Sequence, residues 1–525
     1  MAGDTGSSST VDVVIVGGGH NSLVAAAYLA RAGLSVCLLE RSARLGGAAV
    51  SVRAFPGVDV RLSRYSYLVS LLPKRITSDL GIPITLASRR FSSYTPDPGT
   101  HGRTGLLIGP RSDFRAIGAA GDAAGVADFY RRCQLITGRV WPTLIEPLPT
   151  RSELRRLVVD GLGNADSADT WRELFDEPIG RAICRAVDND LVRGLIGTDA
   201  LIGTFASLDD ESLSQNICFL YHVVGGGDGQ WRVPVGGMGA VTEALAGAAR
   251  RYGARLLTGA DAESVEPDGL VRYRSDGTQR SIHGRFVLAG VTPVVLARLL
   301  GEPAPVTAEG AQVKINMVLR RLPRLRDPRV SPEQAFTGTF HANETWRQLE
   351  AAQRRAAAGV VPAPLPCEAY CHSLTDPGIM SAELRAAGAH TMTVFGLHTP
   401  HGLRATSATL STAVVASLSS LLAEPIDELL MNDGNGQPCV ETTTTADLDK
   451  DLGMTAGNIF HGALKWPFAE DDEPLDGPAR RWGVATAHPR VMLCGSGARR
   501  GGAVSGLGGH NAAMAVLASL GRQSN

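Results

Sequence analysis

Residues 11–16 (VDVVIV) form an almost continuous apolar run, the pattern of a strand covered on both faces of a parallel sheet. A glycine turn follows at 17–19, and Ser22–Ala32 is small and apolar enough to pack as a buried helix. Gly33 is placed to end that helix. Ser35–Leu39 is a second apolar run, closing on Glu40, so one β-α-β unit occupies about thirty residues. Helical spacing recurs at Asp113–Ala120, Asp122–Thr137 and Trp171–Arg185, with Pro and Gly breaks between them. Pro234–Val265 reads as turn, helix (Ala240–Tyr252) and strand, and Arg285–Gly290 as another buried strand. Residues 311–320 (AQVKINMVLR) alternate, as a strand of a second sheet does. Residues 342–366 read as an exposed helix and loop. Val491–Cys494 is a strand, Gly495–Gly509 a glycine-rich turn, and Asn511–Leu520 a helix.

The strands at the two ends read alike, so the ends are expected to meet in one lobe with a second inserted between. The predicted division is a disordered tail at 1–10, a discontinuous nucleotide lobe at 11–95, 230–300 and 455–525, and a second, substrate-binding and helical lobe at 96–229 and 301–454. A chain of 525 residues accommodates two or three such units and a deep pocket.

Composition excludes more than it selects. Hydrophobic residues are 44%, charged residues 20%, and the net charge is −1, which gives no footprint for nucleic acid or for strong attachment to anionic membranes. Only four of the 51 basic residues are lysine, which we read as a genomic base-composition bias. The eight cysteines are scattered without a C-x-x-C pair or zinc spacing, so free thiols in a reducing compartment and no metal site are expected. No secretory leader and no apolar run of about 18 residues occurs, so a cytoplasmic protein is expected, with peripheral membrane contact and oligomeric state left open.

The glycine turn carries the first chemistry. In Gly17-Gly18-Gly19-His20-Asn21-Ser22, Gly17 permits the tight turn and Gly19 lets the backbone approach a pyrophosphate. The third position, here Ser22, must be small so that the helix packs on the strand. Phosphates then sit at the helix N-terminus, near Asn21, where N–H groups and the dipole favour negative charge. The Ser22 hydroxyl is expected to cap the helix or touch a phosphate. Glu40, 23 residues after Gly17, is placed to accept the ribose hydroxyl protons and to repel a 2′-phosphate. After Arg41, the pair Gly46-Gly47 resembles the loop that flavoproteins of the glutathione-reductase class lay against the pyrophosphate, so FAD is expected rather than NAD. No second fingerprint is present, since Gly225–Gly229 runs into Gln230-Trp231-Arg232.

Residues 493–513 read LCGSGARRGGAVSGLGGHNAA. Together with VIVGGGHNSLVAAAYLARAG at 14–33, RLSRYSYLVSLL at 61–72, WRVPVGGMGAVTEAL at 231–245, HSLTDPG at 372–378 and GNIFHGAL at 457–464, this resembles the phytoene-desaturase-like branch of the FAD-dependent amine oxidase superfamily. The resemblance implies an α/β fold: a glutathione-reductase-type FAD-binding Rossmann lobe with an inserted α+β substrate lobe. It implies that Gly495, Gly502, Val504, Ser505 and Gly506 lie along the flavin and that the backbone of Val265 meets the adenine. Arg500 and Ala503 depart from the family pattern, in which Pro and Gly are frequent at these positions.

Hydride transfer to a flavin needs no obligatory side-chain base. Candidates for positioning or proton chemistry are His510, Asn511, Tyr65 and His398, with His401 nearby in sequence. A structural role competes for each of them. The leading function is an FAD-dependent desaturase or dehydrogenase acting on a largely apolar, isoprenoid or polyene substrate, with oxygen or a quinone as acceptor. Alternatives are an amine oxidase, a redox-neutral flavin-dependent isomerase and a non-catalytic flavin-bearing protein. The amine oxidase ranks lower because no lysine–water relay between paired aromatics is identifiable in the sequence.

Overall fold

The computed structural model describes residues 9–163 and 165–522. The chain threads back and forth between two seven-stranded sheets. It begins with β1 (Ser9–Val16) and β2 (Val36–Glu40), then crosses to β3 (Ser93–Pro96) and β4 (Gly105–Ile108) of the second sheet. It returns through β5 (Arg255–Thr258), β6 (Ala260–Val265), β7 (Leu270–Ser275) and β8 (Thr278–Ala289). It then builds β9 (Val313–Leu319), β10 (Thr339–Ala342), β11 (Cys367–Tyr370), β12 (His390–Gly396) and β13 (Val440–Thr443), before β14 (Val491–Leu493) closes the first sheet.

In the first sheet the order is β6-β7-β8-β1-β2-β5, with β14 also on β8. β1 pairs in parallel with β8 and β2, β2 with β5, and β8 with β14, while β6, β7 and β8 form an antiparallel meander. The fold class is therefore the expected α/β arrangement on a Rossmann-like sheet. Val13–Ile15 are fully buried, as the apolar run at 11–16 requires.

Two of the predicted boundaries move. Ser9 and Thr10, assigned to the tail, belong to β1, while residues 1–8 lie outside the described residues. Ser93–Thr95, assigned to the nucleotide lobe, pair with Leu106–Ile108 in a hairpin and so go with the second sheet. Asp113–Ala120 yields only the 3₁₀ turn Phe114–Ile117, ended by Gly118 at φ +71°. Trp171–Arg185 is split into helices Ala165–Phe175 and Ile179–Ala186, because Pro178 cannot continue a helix.

Four helices set the site: α1 (His20–Arg31), α2 (Ser214–Val223), α3 (Met238–Arg251) and α4 (Leu507–Ser519). Every residue of α1 from His20 to Ala30 is buried, and each fully buried Leu or Val there is worth about 1.5–3 kcal/mol. α1 and α4 run side by side in the same direction. A Cβ on Gly509 would stand 1.8 Å from the Asn21 carbonyl oxygen, so only glycine permits this approach. At the far end Arg522 Nη1 donates to the Ala32 carbonyl at 3.0 Å. Both N-termini thus point at the carboxyl edge of the first sheet, where ligands of open α/β sheets bind. Among the described residues no helix is long and apolar enough to cross a membrane.

Candidate active site

A cleft opens at the ends of β1 and β2. Gly17 takes φ +94°, a conformation that L side chains rarely adopt. A Cβ on Gly19 would meet nothing within 4 Å, so the space above this residue is open to a ligand. α1 has no side-chain cap, which leaves its first N–H groups to whatever fills that space. Glu40 Oε2 accepts from Gly18 N at 2.6 Å and Oε1 from Ser42 N at 2.8 Å, so the carboxylate also clamps the glycine turn. The second glycine pair lies directly on the first: Gly46 N donates to Gly18 O at 2.8 Å, and a Cβ on Gly47 would be 3.2 Å from Gly19 Cα.

Of the predicted nucleotide residues, Gly17, Gly19, Asn21, Ser22, Glu40, Arg41, Gly47 and Gly495 line this cleft. Gly46 sits one layer behind. Arg41 turns across the mouth and donates to the Asp451 carbonyl at 2.8 Å. Ser22 neither caps nor points outward: its hydroxyl is 3.8 Å from Cys494 Sγ and occupies the space a Cβ on Gly290 would need. Val265 does not line the cleft. Register places Thr258 beside Glu40, so the residues that follow at once, Ala260–Ala262, form the wall, and Val265 is buried below. Two buried polar atoms at the cleft, Asn21 Oδ1 and His461 Nδ1, have no hydrogen-bond partner among the described residues. Open glycine backbone, uncapped helix, carboxylate and orphan polar atoms fit a dinucleotide.

An adjoining cavity shares His20, Ala48, Met454 and Ser496 with the cleft. Its walls are apolar and aromatic, among them Leu68, Ile202, Leu397, Phe460, Trp231 and Phe395, and no carboxylate lines it. Tyr65, one of the catalytic candidates, lines it, its hydroxyl held protonated by burial and its ring carrying the Arg64 guanidinium at 5.4 Å. The remaining catalytic candidates lie elsewhere. His398 is buried with its ring edge-on to Phe205 at 6.0 Å and neither ring nitrogen bonded among the described residues, and burial lowers its pKa to about 4. His401 pairs with Thr445 at 3.3 Å. His510 and Asn511 bond each other at 2.9 Å, and the His510 ring meets Tyr28 edge-on at 5.1 Å. The His510 ring thus faces α1, whereas the Asn511 amide donates to the Leu144 carbonyl at 3.2 Å, and both are buried because α4 is covered on all sides.

The closing segment is more finely divided than its motif suggests. Ala503 and Val504 line the cavity. Gly502 backs Phe460 and Leu464 of its wall, and Ser505 is buried, accepting from Leu507 N at 3.2 Å. Gly506, the N-cap of α4 at φ +72°, faces Val24, Leu72 and Ile76 of the core rather than the cavity. Arg500 also turns away: its guanidinium is bonded by the carbonyls of Thr143 and Glu146 at 2.8 and 2.9 Å, and burial lowers its pKa to about 10.

Several lining residues were not singled out by the sequence, chiefly His20, Tyr67, His222 and Lys314. Lys314 pairs with Phe395 and Thr443 on its two neighbouring strands, so the three side chains stand in one row facing the cavity. Its ammonium donates to the carbonyls of Ser63 at 2.6 Å and Ser66 at 3.2 Å, lies 5.3 Å from the Phe395 ring centre, and is pushed well below the ordinary lysine pKa by burial. The usable signal was the alternation in AQVKINMVLR, which puts Lys314 and Asn316 on one face of an otherwise apolar strand.

Comparison with known proteins agrees with this geometry. A family model for NAD(P)-binding Rossmann-like domains matches residues 15–73. An uncharacterized protein of Mycobacterium tuberculosis is 66% identical over 521 residues, covering 97% of both chains. The rat pyridine nucleotide-disulfide oxidoreductase domain-containing protein 2 is 26% identical over 561 residues, covering 97% of this chain and 94% of its own. Among solved structures, a putrescine oxidase redesigned at its cofactor site superposes with a TM-score of 0.59 at 15% identity, over 98% of this chain and all of its own (100%).

Proposed function

We propose that the chain is an FAD-dependent oxidoreductase of the amine oxidase superfamily, that FAD lies in the cleft and that a largely apolar small molecule is oxidised in the adjoining cavity. The carrying observation is the cavity itself, which opens on the cleft and offers apolar and aromatic walls without a carboxylate. Glu40 would hold the ribose, the N-terminus of α1 and Gly46-Gly47 the pyrophosphate, and Ala260–Ala262 the adenine side. Ala503 and Val504, with the N-terminus of α4 behind them, would face the isoalloxazine. Bound flavin supplies a hydride acceptor. The protein's part is to hold one C–H bond in place and exclude water, which the apolar walls do. An isoprenoid or polyene matches walls of this kind, with oxygen or a quinone taking the electrons.

One observation favours a second reading. Lys314 stands in the cavity beside Phe395, with Tyr67 packed on the same ring at 4.4 Å, so a lysine between aromatic residues does exist, and an amine substrate is the alternative. Turnover of a panel of polyenes, acyl compounds and amines, with oxygen and quinone acceptors, decides between them. Flavin bleaching by apolar, non-basic compounds is expected. Turnover of amines alone, with hydrogen peroxide and ammonia as products, would replace the proposal by the second reading, and an isomer shift without net oxidation would replace both.

A further inference from the structure

Behind the apolar cavity lies a polar one, and a single wall separates them. Tyr67 faces the apolar side, Tyr370, Glu368, His341 and Asp199 face the polar side, and His222 and Trp231 border both. Strand register produces this arrangement. Thr443, Lys314, Phe395, Glu368 and His341 are successive partners across β13, β9, β12, β11 and β10, so they form one row on one face of the second sheet. The row starts in the apolar cavity and ends in the polar one. Tyr370, two residues beyond Glu368, shares that face, and its ring packs on Tyr67 at 4.5 Å.

The hydroxyls along the wall are aligned. Tyr67 donates to the Tyr370 oxygen at 3.4 Å, and Tyr370 donates to Glu368 Oε2 at 2.5 Å. Glu368 Oε1 accepts from Thr198 at 3.1 Å. Both phenol donors thus point from the apolar cavity towards the carboxylate. The polar cavity continues to Asp228 and Gln230, which are exposed, and so reaches solvent.

Removing a hydride from a neutral substrate leaves a proton behind, and the apolar cavity has no carboxylate to receive it. We propose that Tyr67, Tyr370 and Glu368 form a relay that carries protons released in the apolar cavity to the polar cavity and on to solvent. This rests on the flavin reading above. In the balanced step, one substrate C–H bond breaks with its electron pair going to the flavin as hydride, and a second substrate hydrogen leaves as a proton. Tyr67 accepts that proton as its own passes to Tyr370, whose proton passes to the Glu368 carboxylate. The resulting carboxylic acid gives it to water in the polar cavity. Neither phenol is left as an anion, in keeping with the burial that holds both far above the ordinary tyrosine pKa.

The charge surroundings of Glu368 suit an acceptor that loads and unloads near neutrality. Burial, then Glu344, raise it to about 7, and His341, Tyr370 and His222 oppose them. Arg89 and Asp199 also face this polar cavity, and Tyr67 lies just across the wall. His341, Glu344 and Glu368 lie close enough together to suggest a metal. His341 Nδ1 and Glu344 Oε2 already meet at 2.6 Å as a hydrogen bond, so these two atoms are engaged with each other.

The test needs no substrate. Reduced, flavin-loaded protein is mixed with excess ferricyanide, so that one reduced flavin anion and two ferricyanides give oxidised flavin, two ferrocyanides and one proton inside the apolar cavity. Flavin absorbance follows the oxidation, and phenol red in weak buffer follows the proton reaching solvent. In the parent the two signals should rise together. In Tyr370→Phe and Glu368→Gln both signals should slow at least ~10-fold, towards the ~10²–10⁴-fold range for a lost proton-transfer group, since the reduced flavin anion cannot become oxidised flavin without giving up its proton. Flavin content checks folding, and Tyr370→Phe keeps the ring packing. Infrared spectra should also show a carboxylic acid carbonyl band that titrates near neutral pH and is absent from Glu368→Gln. Parent rates of both signals in both variants, or a slowing confined to Asp199→Asn, which would route the proton through His222, overturn the relay and leave the flavin reading standing. A protein that binds no flavin overturns that reading instead.

Discussion

The His20 imidazole donates through Nε2 to the Ala503 carbonyl oxygen at 3.0 Å, although 483 residues separate them in the chain. Burial lowers the His20 pKa to about 4, so the ring is neutral at physiological pH and one nitrogen keeps the proton that makes this bond. The first residue of α1 and the loop before α4 are thereby joined at the border between cleft and cavity.

Glu40 is the most direct check on the cofactor. The purified protein is expected to carry non-covalent FAD or to take it up on reconstitution. Glu40→Ala should weaken that binding by roughly 1–3 kcal/mol, since it removes ribose acceptors and the clamp on Gly18 and Ser42. Mass spectrometry finding NAD or FMN in the cleft would contradict this.

NADH and NADPH should be poor reductants, because the described residues hold one Rossmann-like sheet and the second sheet is largely antiparallel. Stopped-flow mixing should show little flavin bleaching. Bleaching at the pace of ordinary turnover, about 10 per second, would reveal a nicotinamide site.

Val504 tests the electrostatics of the closing segment. It lines the cavity, whereas an aspartate at Gly506 would bury its charge among Val24, Leu72 and Ile76 and unfold the helix start. Val504→Asp should lower the flavin midpoint potential by opposing the negative charge of the reduced form, and Val504→Asn should shift it much less. Equal potentials in the loaded parent and Val504→Asp would remove this segment from the flavin.

Gly509→Ala should separate α1 from α4, because its Cβ has 1.8 Å where contact needs roughly twice that. The expected cost is at least ~1–3 kcal/mol, the usual toll of overpacking, with FAD retention falling in parallel. Unchanged thermal midpoint and flavin content would show that the helices slide apart freely.

His398 gives a pH signature. Its folded pKa of about 4 lies below the ordinary 6.5, so between these values the unfolded chain binds a proton that the folded one refuses. Stability must therefore fall as pH drops from 6.5 to 4, as the buried His20, His222, His461 and His510 also require. His398→Asn tolerates the φ of +53° and should flatten that slope. Urea titrations of both proteins at two pH values compare the slopes, and equal slopes would refute the assignment.

The β1–glycine turn–α1–β2 unit was legible because its contacts are local, each residue type answering to a backbone need a few positions away. Misplacements arose where a motif had to be oriented in three dimensions. His510 turns to the face of α4 that meets α1, Asn511 turns to the Leu144 carbonyl, and Gly506 lies with its Cα towards the core. Val265 missed the cleft because the wall is set by the register of β5 against β2, which sequence spacing does not reveal. Lys314, Tyr67 and His222 come from three distant segments, and only the pairing of β9 with β12 and the docking of α2 bring them together.

The union of the two chain ends has a consequence for the protein's birth. On a ribosome adding about 5–20 residues per second, α1 emerges roughly 25 to 100 seconds before α4 exists to cover one of its sides. During that interval the side of α1 that meets α4, around Asn21 and Tyr28, lacks its final partner, while α3 can already cover another side. The nascent chain is then at its most adhesive, and chaperone capture or early nucleotide loading at the glycine turn would matter most. A polypeptide truncated shortly before Leu507 would be released with one side of α1 still uncovered and the cofactor seat incomplete.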